Sequence, residues 1–140
     1  MSWSQGDQDR RLHGGMRVGK VLQVDPAKAR ARVTLGGDTK TAWIPWVGRA
    51  GTIDEWAPPA VGEQVVVMSP GGDTSQGVIL GSLSSNANPR ASSDGGEYRV
   101  TIGNSHISMT GSAIRLSSNG STIEMDATGI RLNGARIDLN

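Results

Sequence analysis

The side chains with the widest chemical reach in these 140 residues are two histidines, a scatter of carboxylates and the tryptophans of the middle segment. His13 and His106 each lack a neighbouring histidine, so neither supplies the paired imidazoles that would hold a metal ion. His106 follows the Gly103-Asn104-Ser105 turn and reads as a surface residue with no pH-sensing or axial role. Asp54-Glu55 and Glu63 are carboxylates on turns, with no histidine or nucleophile beside them to complete an acid–base or nucleophilic set. Trp43, Trp46 and Trp56 can stack on bases, as aromatic residues do on nucleic-acid-binding barrels; equally they can line a core or a contact between subunits. Gly36-Gly37 and Gly71-Gly72 lack the Gly-Lys-Ser or Gly-Lys-Thr ending of a phosphate loop and read as turns. The chain has no cysteine, which removes disulfides, thiolate catalysis and cysteine-based metal sites together. These residues describe a non-enzyme without catalytic, cofactor-binding or metal-binding residues.

The elements behind them are dominated by a repeat. Six apolar-x-apolar pairs occupy the end of the chain: Val100/Ile102, Ile107/Met109, Ile114/Leu116, Ile123/Met125, Ile130/Leu132 and Ile137/Leu139. Their first members are spaced 7, 7, 9, 7 and 7 residues apart, with small or polar residues between the pairs. Each unit reads as a minimal strand. Two inward side chains per strand give too little apolar area to offset ordering the backbone, so one copy cannot bury them alone. Several copies of the tail are therefore expected to wind around one another as a rigid β-prism or β-helix, with the twelve paired residues facing the axis. Arg115, Glu124, Asp126, Arg131, Arg136 and Asp138 are expected to face water, and Met109 and Met125 to fill uneven gaps. Six strands stacked at strand spacing would rise by roughly 30 Å.

The rest of the chain divides into an arm, a barrel and a linker. Residues 1–15 are polar and read as a flexible or partner-ordered arm. From Met16 strands are expected over Arg17 to Val24, Arg30 to Leu35 and Thr41 to Val47, with Asp25-Pro26-Ala27 and Gly36-Gly37-Asp38 as turns. Pro45 demotes the third strand to an edge or a bulge. Gly48 to Pro59 has no period and reads as a longer excursion. Val65-Val66-Val67-Met68 is an apolar run suited to a strand buried on both faces, and Gly77 to Gly81 returns as a fifth strand after the Ser69-Pro70-Gly71-Gly72-Asp73 turn. Five short strands within residues 16–83, the longest insert lying between the third and fourth, fit a five-stranded barrel of the OB type, with a sandwich as the alternative. Residues 84–97 read as a linker, and 98–140 as the repeat.

Formal charge is +1, and it stays balanced in both halves, with ten basic and ten acidic groups over residues 1–97 and four and three over 98–140. Neither half offers a field for nucleic acid. The first residues lack the layout of a signal peptide, and no apolar run reaches the length of a membrane-spanning helix, so synthesis and first assembly are expected in the cytoplasm.

Pro59 to Leu83 carries a Gly62-Glu63-Gln64 step, the valine run, Ser69-Pro70-Gly71-Gly72-Asp73 and the Gly77-Val78-Ile79-Leu80-Gly81 strand. Together with the Arg17 to Val21 opening, the hairpin at Asp25 to Val33 and the repeat, this resembles the baseplate assembly protein V family, the central spikes of contractile-tailed phages and phage-like bacteriocins. The resemblance covers residues 16–140. It implies a homotrimer whose three OB barrels form a collar and whose tails intertwine into a triple-stranded β-helical needle. It also implies baseplate hub proteins as partners, a place in the virion or tail-like particle baseplate, and transient contact with the outer membrane that the needle punctures on contraction.

Trp43, Trp46 and Trp56 then become candidates for the hub or trimer interface. Many relatives end in a His-x-His apex that holds iron; this chain has no such pair, so no iron site carries over, and a truncated end, a separate tip protein capping the needle or an absent apex are the alternatives. Some related spikes insert a lysozyme domain between barrel and needle, for which Ser84 to Gly96 is too short. Two other functions compete with the spike: an OB nucleic-acid-binding module oligomerised by its tail, and a spike-like carrier of a type VI-like secretion machine.

Overall fold

A computed structural model of the chain describes residues 15–140; the expected arm falls, but for Gly15, outside the described residues. The described residues form two compact units, one ending at Pro89 and the other beginning at Arg90.

The first unit contains β1 (Met16–Asp25), β2 (Arg30–Thr34), β3 (Gln64–Met68) and β4 (Val78–Leu83), in one antiparallel sheet of order β2-β1-β3-β4. Asp25 ends β1 and its carboxylate accepts from the Lys28 amide, while Ala29 takes a left-handed conformation to turn the chain into β2. A bulge between Val21 and Gln23 shifts the alternation of β1, so Gly19 and Val21 face the core before it and Val24 packs on the core after it. Val21, Ala31, Val33, Ile44, Val65, Val67 and Ile79 make up the buried core, with Leu35 and Trp46 packed against it.

Two expectations are corrected here. The valine run is buried on one face: Val65 and Val67 are in the core, Val66 is half-buried and Met68 is exposed, because β3 lies in a single layer whose other face is open. The Thr41 to Val47 segment is neither a continuous strand nor an edge. Ile44 exchanges both backbone hydrogen bonds with Ala31 of β2 at 2.8 and 2.9 Å, while the Val47 amide donates to the Ile79 carbonyl and the Ile79 amide to the Pro45 carbonyl, both at 2.9 Å. The segment therefore joins the two outer strands of the sheet and closes the barrel. Pro45 is tolerated because closure uses its carbonyl and not the N–H it lacks. Thr41 sits buried at this seam, its hydroxyl accepting from the Val33 amide and donating to the Ala42 carbonyl.

The second unit is a meander of β5 (Tyr98–Ile102), β6 (Ser105–Met109), β7 (Ala113–Ser118), β8 (Ser121–Asp126) and β9 (Gly129–Asn133), each strand pairing with the next. Five of the six expected pairs lie in these strands; Ile137 and Leu139 lie beyond β9, outside regular strand. Tight turns start at Gly103, Gly111, Asn119 and Ala127, eight residues apart. Asn119 and Gly120 both take positive φ, 50° and 94°, which suits the twist of the β7–β8 hairpin. Within one chain the tail is an open antiparallel sheet.

Within the sheet β1 approaches β2 closely at Gly19. A Cβ on Gly19 would lie 2.5 Å from the Thr34 carbonyl oxygen and 2.7 Å from a Val33 methyl, whereas one on Gly81 meets nothing within 4 Å. Gly19→Ala is expected to lower stability by about 1–3 kcal/mol through forced displacement of β2. Gly81→Ala should stay within about 0.5 kcal/mol of the parent. Urea unfolding followed by tryptophan fluorescence checks the pair.

Candidate functional site

Pairing across the meander fixes which side chains share a face. Tyr98, Met109, Ile114, Met125 and Ile130 stand opposite one another in one row, and Val100, Ile107, Leu116, Ile123 and Leu132 in a second. A third row on the same face begins with Ile102 and continues through Ser105, Ser118 and Ser121, with the Ser105 and Ser118 hydroxyls 2.8 Å apart. The strands from β6 to β8 thus present three positions to this face, two of them filled by large apolar residues, while β5 fills all three and β9 carries Ile130 and Leu132. A register slip of one residue would turn all of them over, so the eight-residue turn period sets the face.

The opposite face is polar and better covered. Arg99, Ser108, Arg115, Glu124 and Arg131 form one row; Thr101, His106, Ser117, Thr122 and Asn133 form the other. Arg115 Nη1 lies 3.4 Å from Glu124 Oε1, and Arg131 Nη2 lies 3.3 Å from Glu124 Oε2 and 2.6 Å from Asp126 Oδ2. At the start of the sheet the Ser108 hydroxyl donates to Glu97 Oε2 at 2.5 Å, with Arg99 at 3.6 Å. The Glu97 side chain is only 12% exposed. On the apolar face Ile107 and Met109 are each 48% exposed and Ile130 64%. The usual arrangement is inverted, since the charged face is partly satisfied and the aliphatic face meets water.

Electrostatics on the polar face follow from these contacts. Hydrogen bonds from Arg131 and Thr128 hold the Asp126 carboxyl far below the usual carboxylate range, and Asp126 in turn raises Arg131. Ser108, followed by Ser92, lowers Glu97. In the first unit Asp73 is lowered by the side-chain and backbone hydrogen bonds of Ser75. The Arg115 and Arg131 side chains are about half exposed, where ion pairs are worth little individually.

His106 is half-buried on the polar face, between Thr101 and Ser117 in its row. Among the described residues no three His, Cys, Asp or Glu side chains stand close enough to hold a metal ion, and no helix is long and apolar enough to cross a membrane. Trp43, Trp46 and Trp56 belong to the first unit. Trp46 packs against the core, and its ring lies 5.8 Å from that of Trp56 at an angle of 57°. Trp43 and Trp56 are largely exposed. Apolar spacing did not expose the third row, because serines carry no hydropathy signal; the turn period of eight residues is the signal that would have found it.

Residues 17–83 match the model of a family described as the type VI secretion system/phage-baseplate injector OB domain. The chain is also similar to the spike protein of Escherichia phage P2, at 36% identity over 84 residues, which make up 59% of this chain and 39% of the phage protein. It thus spans about two fifths of the length of that curated relative.

The depressed carboxyls contribute to the acid response of the molecule. Their folded values lie below their unfolded ones, so their contribution is fully present above the unfolded values near 4 and is lost as pH falls through the lower folded values. Side-chain carboxyl NMR titration should show Asp126 still ionised where ordinary aspartates are half protonated. Replacing Arg131 with Gln should return Asp126 toward the usual range.

Proposed function

This chain belongs to the baseplate assembly protein V family, and on that premise we propose that it is the central spike of a contractile phage tail or tail-like particle, working as a homotrimeric needle that punctures the target outer membrane. A structural role of the spike type goes with the family; the trimer, the needle and the puncture are this reading's own. The observation that carries it is the inverted tail sheet, whose two five-membered apolar rows lie open while its charged residues are paired. Covering each half-exposed aliphatic side chain is worth on the order of 1 kcal/mol, so association through this face is strongly favoured. Three such sheets arranged around an axis would enclose their apolar faces in a triangular prism, with the ion-pair ladder outside. Five strands at sheet spacing give about 24 Å of needle per chain.

The mechanism is mechanical. Contraction of the sheath supplies the work; the needle must transmit load without bending and must not lodge in lipid. Sheets locked face to face leave little to shear. An outer surface of arginine–carboxylate pairs, hydroxyls and Asn133 has no apolar band to hold it in a bilayer. The OB domain, with Trp43, Trp46 and Trp56, is the part offered to hub proteins and to the other copies, and a separate tip protein is a fitting partner for the far end of the needle. Assembly in the bacterial cytoplasm and residence in the baseplate belong to the same reading, with no cofactor and no enzymatic step. Nucleic acid binding is disfavoured because Arg99, Arg115, Arg131 and Arg136 each pair with a carboxylate, leaving no row of free cations along the tail.

Light scattering is expected to give a mass near three chains, resistant to SDS until heated. Ile114→Asp and Ile130→Asp, each placing a charge in the apolar row, should both reduce it to one chain. A single-chain mass for the parent, or trimers from both variants, would refute the needle.

A further inference from the structure

Turns at Gly103, Gly111, Asn119 and Ala127 place the next turn of the same period at Ala135-Arg136. A strand continuing from there would begin at Ile137 and run antiparallel to β9, with Gly134 opposite Ile137, Asn133 opposite Asp138 and Leu132 opposite Leu139. That register preserves the faces. Leu139 would extend the row ending at Leu132, and Ile137 would extend the row of Ile102, Ser105, Ser118 and Ser121, which reaches Gly134 where a Cβ would lie 3.2 Å from Ser121 Oγ. Asp138 would stand beside Asn133 on the polar face.

The chain does otherwise. Arg136 to Leu139 lie outside regular strand and border an open groove whose other wall is the apolar face, including Val100, Ile107, Leu116 and Ile123. They cover it poorly, since Ile137 is 51% and Leu139 86% exposed. Meanwhile the outer edge of β9 has no strand beside it among the described residues. An apolar-x-apolar segment with the right phase for β9 is thus held over a face that is itself uncovered.

We infer that Ile137–Asn140 is a switch strand. It overhangs the apolar face of its own sheet while that face is bare, and it moves to the edge of β9 in the register above once other copies of the chain cover the face. The covering copies take the space of the groove and displace the overhang. Pairing with β9 then supplies hydrogen bonds to a bare edge and carries Ile137 and Leu139 into the rows that assembly buries. This inference rests on the oligomeric needle proposed above.

The absence of cysteine makes a disulfide test clean. In the full chain, Asn133→Cys with Asp138→Cys places two thiols directly opposite in the switched register. Ser117→Cys with Thr122→Cys provides the control, because those residues already face each other at the equivalent place beside the β7–β8 turn. Each pair is oxidised mildly in the oligomer and in the Ile114→Asp monomer, and intrachain bridges are read by peptide mass after boiling. The control pair should bridge in both states, and the 133/138 pair in the oligomer, with loss of the bridge in the monomer. Absence of the 133/138 bridge in the oligomer overturns the switch, as does equal bridging in both states. A parent chain that scatters as a monomer removes the needle and the switch together, and its mass alone distinguishes that result from failure of the switch.

Discussion

The tail depends on one constraint, the direction in which each side chain leaves a strand that reverses at a tight turn every eight residues. Six residues between turns place three side chains on each face, and antiparallel reversal brings those of neighbouring strands into register. Apolar residues at two of the three positions on one face then form continuous rows, from Val100 to Leu132 and from Tyr98 to Ile130. Arginines and carboxylates on the alternate positions fall beside one another on the other face, where they pair. Sorting by face is so complete that the aliphatic side of the single sheet stays exposed to water.

The first unit meets its own demand internally. Its core is small and built from valine, alanine and isoleucine, and the barrel closes through a segment that forms only isolated bridges. Closure works because the bonds on either side fall on different residues: Ile44 serves β2, Pro45 and Val47 serve β4. The buried hydroxyl of Thr41 lies at this seam, and the near contact of Gly19 with Thr34 and Val33 lies within the sheet, between β1 and β2. One unit finishes its core within the chain; the other leaves an apolar face exposed.

Local pattern made much of this legible. Alternation and turn chemistry located β1 to β4, the excursion from Gly48 to Pro59, and the five strands that hold the first five apolar pairs; the Gly-Glu-Gln and Ser-Pro-Gly-Gly-Asp stretches indicated the family. The errors arose where a residue's neighbours come from elsewhere in the chain. Four consecutive apolar residues at Val65 to Met68 look alike whether the strand has one covered face or two, and only the layers decide. Pro45 marks a place that cannot donate a hydrogen bond, but whether that place is an edge or a seam depends on which carbonyls and amides face it.

What the sequence by itself determined is parity and period: which side chains share a face, where the chain reverses, and that the tail carries more apolar surface than it can bury. These are properties of adjacent residues and of backbone geometry. Only the tertiary structure decided that successive tail strands pair with each other in one open sheet, that the Thr41 to Val47 segment closes the barrel, and that Ile137 and Leu139 stand apart from β9. Those outcomes turn on long-range hydrogen bonding and on competition for the same apolar surface, and neither is encoded in the spacing of residues along the chain.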